Sequence, residues 1–281
     1  MSDRPLLDEP SDPDPERERD PDPDPADHPE PAAESAPRPR GSALATTVGV
    51  VGEVLITLGV LLGLFVVWQL WWTDVVADRE QADIVRGLGW VAPTTPPTVV
   101  QTAEPDPRRY DDAPVAAEPA AGTTFAVLRV PRWGADYLRP ISQGTSKEEV
   151  LDVLGIGHYE GTEMPGAIGN FAVAGHRVTY GKPFNRIEEL AVDDPLVVQT
   201  ADTWYVYRVT YAEVVSPAQT EVLAPVPGQP GAEPTVAVMT LTTCHPMYSA
   251  RERYVVHADL DYWMPVDAGI PEEITPTRGG D

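Results

Sequence analysis

Thiols are nearly absent from this chain. Among 281 residues there is one cysteine, Cys244, so no disulfide can close within the chain and no cysteine cluster can hold a metal. Lysine is almost as scarce. Lys147 and Lys182 stand beside 18 arginines, and 44 acidic residues leave a formal net charge of −24. That balance argues against nucleic acid as a partner. Charge of either sign is missing from the twenty residues between Glu53 and Asp74, VLITLGVLLGLFVVWQLWWT, and no internal repeat is visible. The five histidines are scattered, so no metal site and no cofactor are expected.

The uncharged run fits one environment. At ~1.5 Å per residue it makes ~30 Å of helix, the thickness of a bilayer's hydrocarbon core. Trp68, Trp71 and Trp72 gather at its end, where indole rings favour the headgroup layer. It is too long, and lacks the small-residue cleavage site, for a signal peptide. A single transmembrane anchor is therefore expected over residues 43–73. Arg38 and Arg40 precede it and Asp74 and Asp78 follow, although Arg79 and Arg86 follow too. The positive-inside rule then places the N-terminus in the cytoplasm and everything after the span outside a cell membrane crossed once.

Composition divides the rest. Residues 1–42 form an acidic, proline-rich tail; 1–40 alone hold 11 prolines, 13 acidic residues and 5 arginines, with almost nothing apolar to bury. Such a segment is expected to be disordered. Residues 74–122 remain rich in Pro, Ala, Asp and Thr and read as a stalk, with a short helix in ADREQADIVRGLGW and a stretch, 91–120, suited either to span a wall or to cover a cleft. From 123 to 265 the pattern changes to strands: TFAVLRV, PLVVQT, TWYVYRVTYAEVV, TVAVMTLTT and RYVVHADLDYW are rich in Val, Thr, Tyr and Trp. VVQT-AD-TWYV reads as a tight hairpin. Capping boxes at Thr145/Glu148 and Asn185/Glu188 predict two short helices. The expectation is a mostly-β barrel or sandwich with small helices, followed by a flexible tail over 266–281.

An unpaired cysteine is an intermolecular bridge, an inert core residue or a nucleophile, and burial is the ordinary outcome. A nucleophile needs a proton carrier and a positive charge nearby. Cys244 ends one expected strand, and the next begins near Arg251 or Arg253. Antiparallel pairing would set an arginine against the cysteine. Of the five histidines, His28 lies in the tail, and His245 adjoins the cysteine and points away. His257 falls inside a strand, and His158 sits in a Gly-flanked loop suited to a surface or structural role. His176 follows the apolar run NFAVAG and leads into a Gly- and Pro-containing loop, which suits a cleft residue.

These residues also carry a resemblance. TLTTC matches the TLxTC signature of sortases, with Thr240, Leu241, Thr243 and Cys244 in place; Arg253 follows the cysteine by nine residues; and GNFAVAGHRVTYGKPFNRIEEL resembles the segment around the sortase histidine. GADYLRPI, GIGHYEGTEMPG and TTCHPMYSARER are most similar to class E sortases of actinobacteria. The likeness covers about residues 123–263 and departs at His245, where many relatives have Asn. It implies an eight-stranded β-barrel and a membrane-anchored cysteine transpeptidase. Cys244 would attack the Thr–Gly bond of a sorting signal, LAxTG rather than LPxTG in class E. His176 would carry the proton, Arg253 would hold the oxyanion, and Thr243 would assist beside it; Arg251 and Thr240 are secondary candidates. The implied partners are secreted proteins bearing that signal and a peptidoglycan precursor amine of the lipid II kind. The same motifs fit a pilin-polymerising sortase, a plain cysteine peptidase or an inactive sortase-like binding module.

Overall fold

The computed structural model describes residues 43–91 and 106–275. The acidic tail, residues 92–105 within the expected stalk, and the last six residues lie outside the described residues. Two units divide the chain, residues 1–55 and 56–281.

Helix α1, Ala43–Gly87, opens the described chain. It contains the uncharged run and is the one helix, among the described residues, long and apolar enough to cross a membrane. Its large apolar side chains are exposed along the uncharged run: Leu61 is 58% exposed and Trp71 62%. Such a surface suits lipid. The helix does not stop where the span ends, at Thr73, but continues to Gly87, with Asp74, Ala77, Gln81 and Val85 buried along one face. Periodicity misses this face because two of its four members are polar.

Eight strands follow: β1 (Thr124–Arg129), β2 (Leu138–Gln143), β3 (Ile156–His158), β4 (Gly169–Ala174), β5 (Pro195–Gln199), β6 (Thr203–Val215), β7 (Ala237–His245) and β8 (Glu252–Pro265). They close a barrel in the order β1-β2-β3-β4-β7-β8-β6-β5. All neighbours are antiparallel except β2–β3 and β4–β7. The barrel interior holds Leu128, Ile141, Ile156, Phe171, Leu196, Tyr207, Met239, Leu241 and Val256, all without solvent exposure. Each such side chain stabilises the fold by about 1.5–3 kcal/mol through burial. The expected hairpin is present, with Gln199 paired to Trp204 and Thr200 N–H donating to Thr203 O.

Two strands had no sequence signal. β2 carries Pro140, which pairs with β1 but lies just before the first residue matched to β3, so its missing N–H costs no ladder bond there. β3 has only three residues. The helices also differ from expectation. Lys147–Leu151 is one wide π turn capped by Ser146 rather than Thr145, with Leu151 N–H and Asp152 N–H reaching back five residues. Asn185 caps nothing; its amide donates to Arg177 O, and Ile187–Glu189 is a single 3₁₀ turn.

The segments flanking the barrel pack on it. Arg109 bridges Trp263, Tyr205 donates its hydroxyl hydrogen to Pro114 O, and Ala113 touches the core. Residues 106–122 are thus laid on the barrel, not extended as a free stalk. Residues 266–275 were expected to be tail, but Ile274 is buried with Trp204, Tyr262 and Met264, and Tyr262 donates to Glu273.

Candidate active site

Strand order decides what meets Cys244. β7 lies between β4 and β8, so three neighbouring strands converge at one end of the barrel. Cys244 pairs directly with Arg253 across the antiparallel β7–β8 ladder. Directly opposed residues share a face and have Cβ atoms ~5 Å apart. On the other side, the parallel β4–β7 ladder pairs Ala174 with Thr242. Gly175 N–H continues it to Thr242 O at 3.1 Å, which brings His176 level with Cys244. Alternation then separates two layers. Leu241 and Val256 face the core, whereas Cys244, Arg253 and His176 stand on the outer face. The thiol is free and partly exposed, which the inert-core reading does not accommodate.

His176 is held on two sides. His176 Nε2 meets Asp152 Oδ1 at 2.7 Å, with both side chains largely buried. An ionised carboxylate only accepts, so this contact puts the proton on Nε2 and frees Nδ1 to exchange one. The Tyr180 ring lies against the imidazole, centroids 5.1 Å apart. Asp152 is delivered by topology: it closes the π turn before β3, and β3 pairs with β4 through Gly157 and Ala174.

Arg253 is preorganised by its own backbone surroundings. Its Nη1 donates to Ala250 O at 3.0 Å and Glu252 O at 2.9 Å, which ties the guanidinium to the backbone that leads into β8. Arg251 is exposed and precedes β8, with no rung of the ladder to fix it. Thr243, expected to assist beside Arg253, is bonded to backbone. Its hydroxyl is buried and donates to Gly175 O at 2.7 Å, tying β7 to the backbone before His176. Thr240 is not brought to the trio: it is fully buried four residues back, bonded to Asn170 and His257.

The other histidines are accounted for. His158, expected in a surface or structural role, is fully buried between Gln143 and Glu163, and burial pushes its pKa down. His257 is buried beside Thr240 and Glu213 and is also pushed down, mainly by burial. His245 turns inward, as the alternation requires. It meets Glu188 at 3.0 Å, and Glu188 also pairs with Arg177 at 3.0 Å. The three residues that follow the trio, Arg177, His245 and Tyr254, therefore form a polar layer behind it. Sequence reading missed this layer and Asp152. The one available signal was alternation, which sends each residue after a site residue to the opposite face.

Fold and trio together define a class: a closed β-barrel that presents a cysteine and an arginine on paired strands and a histidine just past the end of a third, the elements of thiol acyl transfer. The Sortase domain family model matches residues 128–261. Sortase SrtE1 of Streptomyces coelicolor is 36% identical over 245 residues, covering 85% of this chain and 64% of that protein. Sortase SrtE2 of the same organism is 37% identical, covering 79% of this chain and 85% of that one. A crystal structure of SrtE1 with a tripeptide in its active site matches with TM-score 0.51 at 38% identity, over 55% of this chain and 98% of that one. The SrtA sortase of Actinomyces oris matches with TM-score 0.57 at 44% identity, over 62% and 99%. The chain belongs to the sortase family, whose members are cysteine transpeptidases, and it is most similar in kind to class E.

Proposed function

We propose that this chain is a membrane-anchored transpeptidase that cuts a C-terminal sorting signal between Thr and Gly and passes the protein to an amine. The observation that carries the reading is the free, partly exposed Cys244 with Arg253 directly opposite it and His176, bonded to Asp152, just past the end of the other neighbouring strand. Cys244 passes its thiol proton to His176 Nδ1 as Sγ attacks the Thr carbonyl carbon, and the guanidinium of Arg253 takes the charge that develops on oxygen. Collapse breaks the C–N bond as His176 protonates the leaving glycine amine, which leaves a thioester. An incoming amine attacks the thioester, His176 accepts its proton, and the thiolate departs. Thr243 supports the site by fixing the strand beside His176.

By family likeness the signal is of the LAxTG or LPxTG kind, and the amine belongs to a peptidoglycan precursor such as lipid II. The tripeptide in the active site of SrtE1 supports a peptide as first substrate. Arg38 and Arg40 before the span favour an N-terminus in the cytoplasm and a barrel outside the cell membrane. The test incubates the full chain in detergent with LAxTG and LPxTG peptides and a small amine, read by mass spectrometry. A transfer product from LAxTG is expected. Hydrolysis alone would make it a peptidase, and no turnover of either peptide would overturn the reading.

A further inference from the structure

The reaction uses nothing of α1, yet the turns beyond the span are the part of that helix most tightly bound to protein. Asp74 Oδ2 pairs with Lys182 Nζ at 2.7 Å, and Asp78 Oδ1 with Arg139 Nη2 at 2.8 Å. About one turn past Asp78, Gln81, with no solvent exposure, donates its amide hydrogen to Tyr180 O at 3.1 Å. The barrel makes room for it. Gly155 and Gly181 abut the Gln81 amide so closely that a Cβ on either would come within about 3 Å, and both have left-handed φ, +98° and +74°.

What the helix grips is the loop that leaves His176. Tyr180, Gly181 and Lys182 have φ of 54°, 74° and 35° in succession, a conformation that a Tyr or Lys adopts only when its surroundings impose it. The helix makes a bond or ion pair to two of these three residues, and Arg139, itself paired to Asp78, donates to the carbonyl of Gly181. The Tyr180 ring in turn backs the imidazole of His176, and Phe184 N–H closes the loop onto His176 O at 3.1 Å. Contact therefore runs without a gap from the anchor to the proton carrier. Asp74 directly follows the uncharged span, so Lys182 is held where the helix leaves the apolar layer, and Gln81 lies ~10 Å further along the axis.

We propose that the extramembrane turns of α1 are a positioning element of the active site: Asp74, Asp78 and Gln81 fix the 178–183 loop, and Tyr180 thereby fixes His176. The anchor is part of the cleft's architecture and sets its height at the membrane surface. This rests on His176 as the proton carrier.

The test uses the full chain in detergent–lipid bicelles with a soluble peptide and a soluble amine, so that access to a membrane-bound substrate plays no part. Asp74→Lys and Lys182→Asp are measured singly and as the double exchange. Each single variant should lose ~10-fold in kcat with little change in KM, the scale of a displaced catalytic group, and the double should recover most of it. Hydrogen exchange of amides 178–184 needs no substrate; it should speed up in the singles and slow again in the double. Singles that match the wild type in kcat and exchange, or a double no better than the singles, would overturn the proposal. A wild type with protected 178–184 amides but no transfer would instead count against the transpeptidase reading alone.

Discussion

As a candidate, Cys244 was legible in the sequence because it has no rival, and His176 because four other histidines could be set aside by position. Asp152 was not. It is one of three acids in KEEVLD, and nothing in that string says which one reaches a histidine 24 residues away. The contact exists because a π turn, wider than an α turn, closes on Asp152 just where β3 runs beside β4. Its role is testable at the same scale. Asp152→Ala removes the acceptor from His176 Nε2 and should lower kcat by ~10–100-fold, within the range for mispositioned proton transfer, with KM for the peptide little changed. Asp152→Asn can turn its amide oxygen to the ring without the charge and should recover part of the loss. Steady-state kinetics of both variants across pH check this, and an unchanged kcat in Asp152→Ala would remove the carboxylate from the mechanism.

Elements, more than residues, separate the two arginines. The sequence left the start of the last strand open between Arg251 and Arg253, and β8 begins at Glu252, between them. One rung distinguishes them: Arg253 is paired to Cys244, whereas Arg251 precedes the ladder. Arg253→Ala should therefore cost ~10²–10³ in kcat, as loss of a preorganised oxyanion donor does. Arg253→Lys should stay badly impaired, because an ammonium lacks the planar fork that bonds backbone carbonyls and substrate together. Arg251→Ala should do far less. Comparing kcat/KM for the three on one peptide checks this, and a larger loss at Arg251 would contradict the register. The strands rich in Val, Thr and Tyr were legible for the same reason that β2 and β3 were not. Alternation and β-branching announce a long strand, whereas a proline-bearing strand and a three-residue one are specified by their neighbours. The packed turns of α1 escaped notice because Asp74 and Gln81 are buried by partners distant in sequence.

At the scale of the whole molecule, the barrel carries an ionisable group it keeps neutral. Burial holds His158 below its ordinary value of 6.5, while the unfolded chain binds a proton at that value. The unfolded state thus takes up more protons as pH falls below about 6.5, and stability declines there. Asp259, pushed up by its own burial, acts in the opposite sense over the interval above 3.8, and it is common to both proteins compared. Between pH 7.5 and 5.5 the wild type should lose more Tm than His158→Gln, and equal losses would contradict a buried neutral imidazole. The central claim, that this barrel works through a thioester on its one cysteine, is tested most directly by intact-protein mass spectrometry. The full chain is quenched shortly after mixing with an LAxTG peptide in the absence of amine. The account requires a mass gain equal to the peptide through its threonine, located on Cys244, discharged by added amine and absent from Cys244→Ala. Cleavage at the same rate in Cys244→Ala, or turnover of the wild type with no adduct on Cys244 at any time, would contradict it.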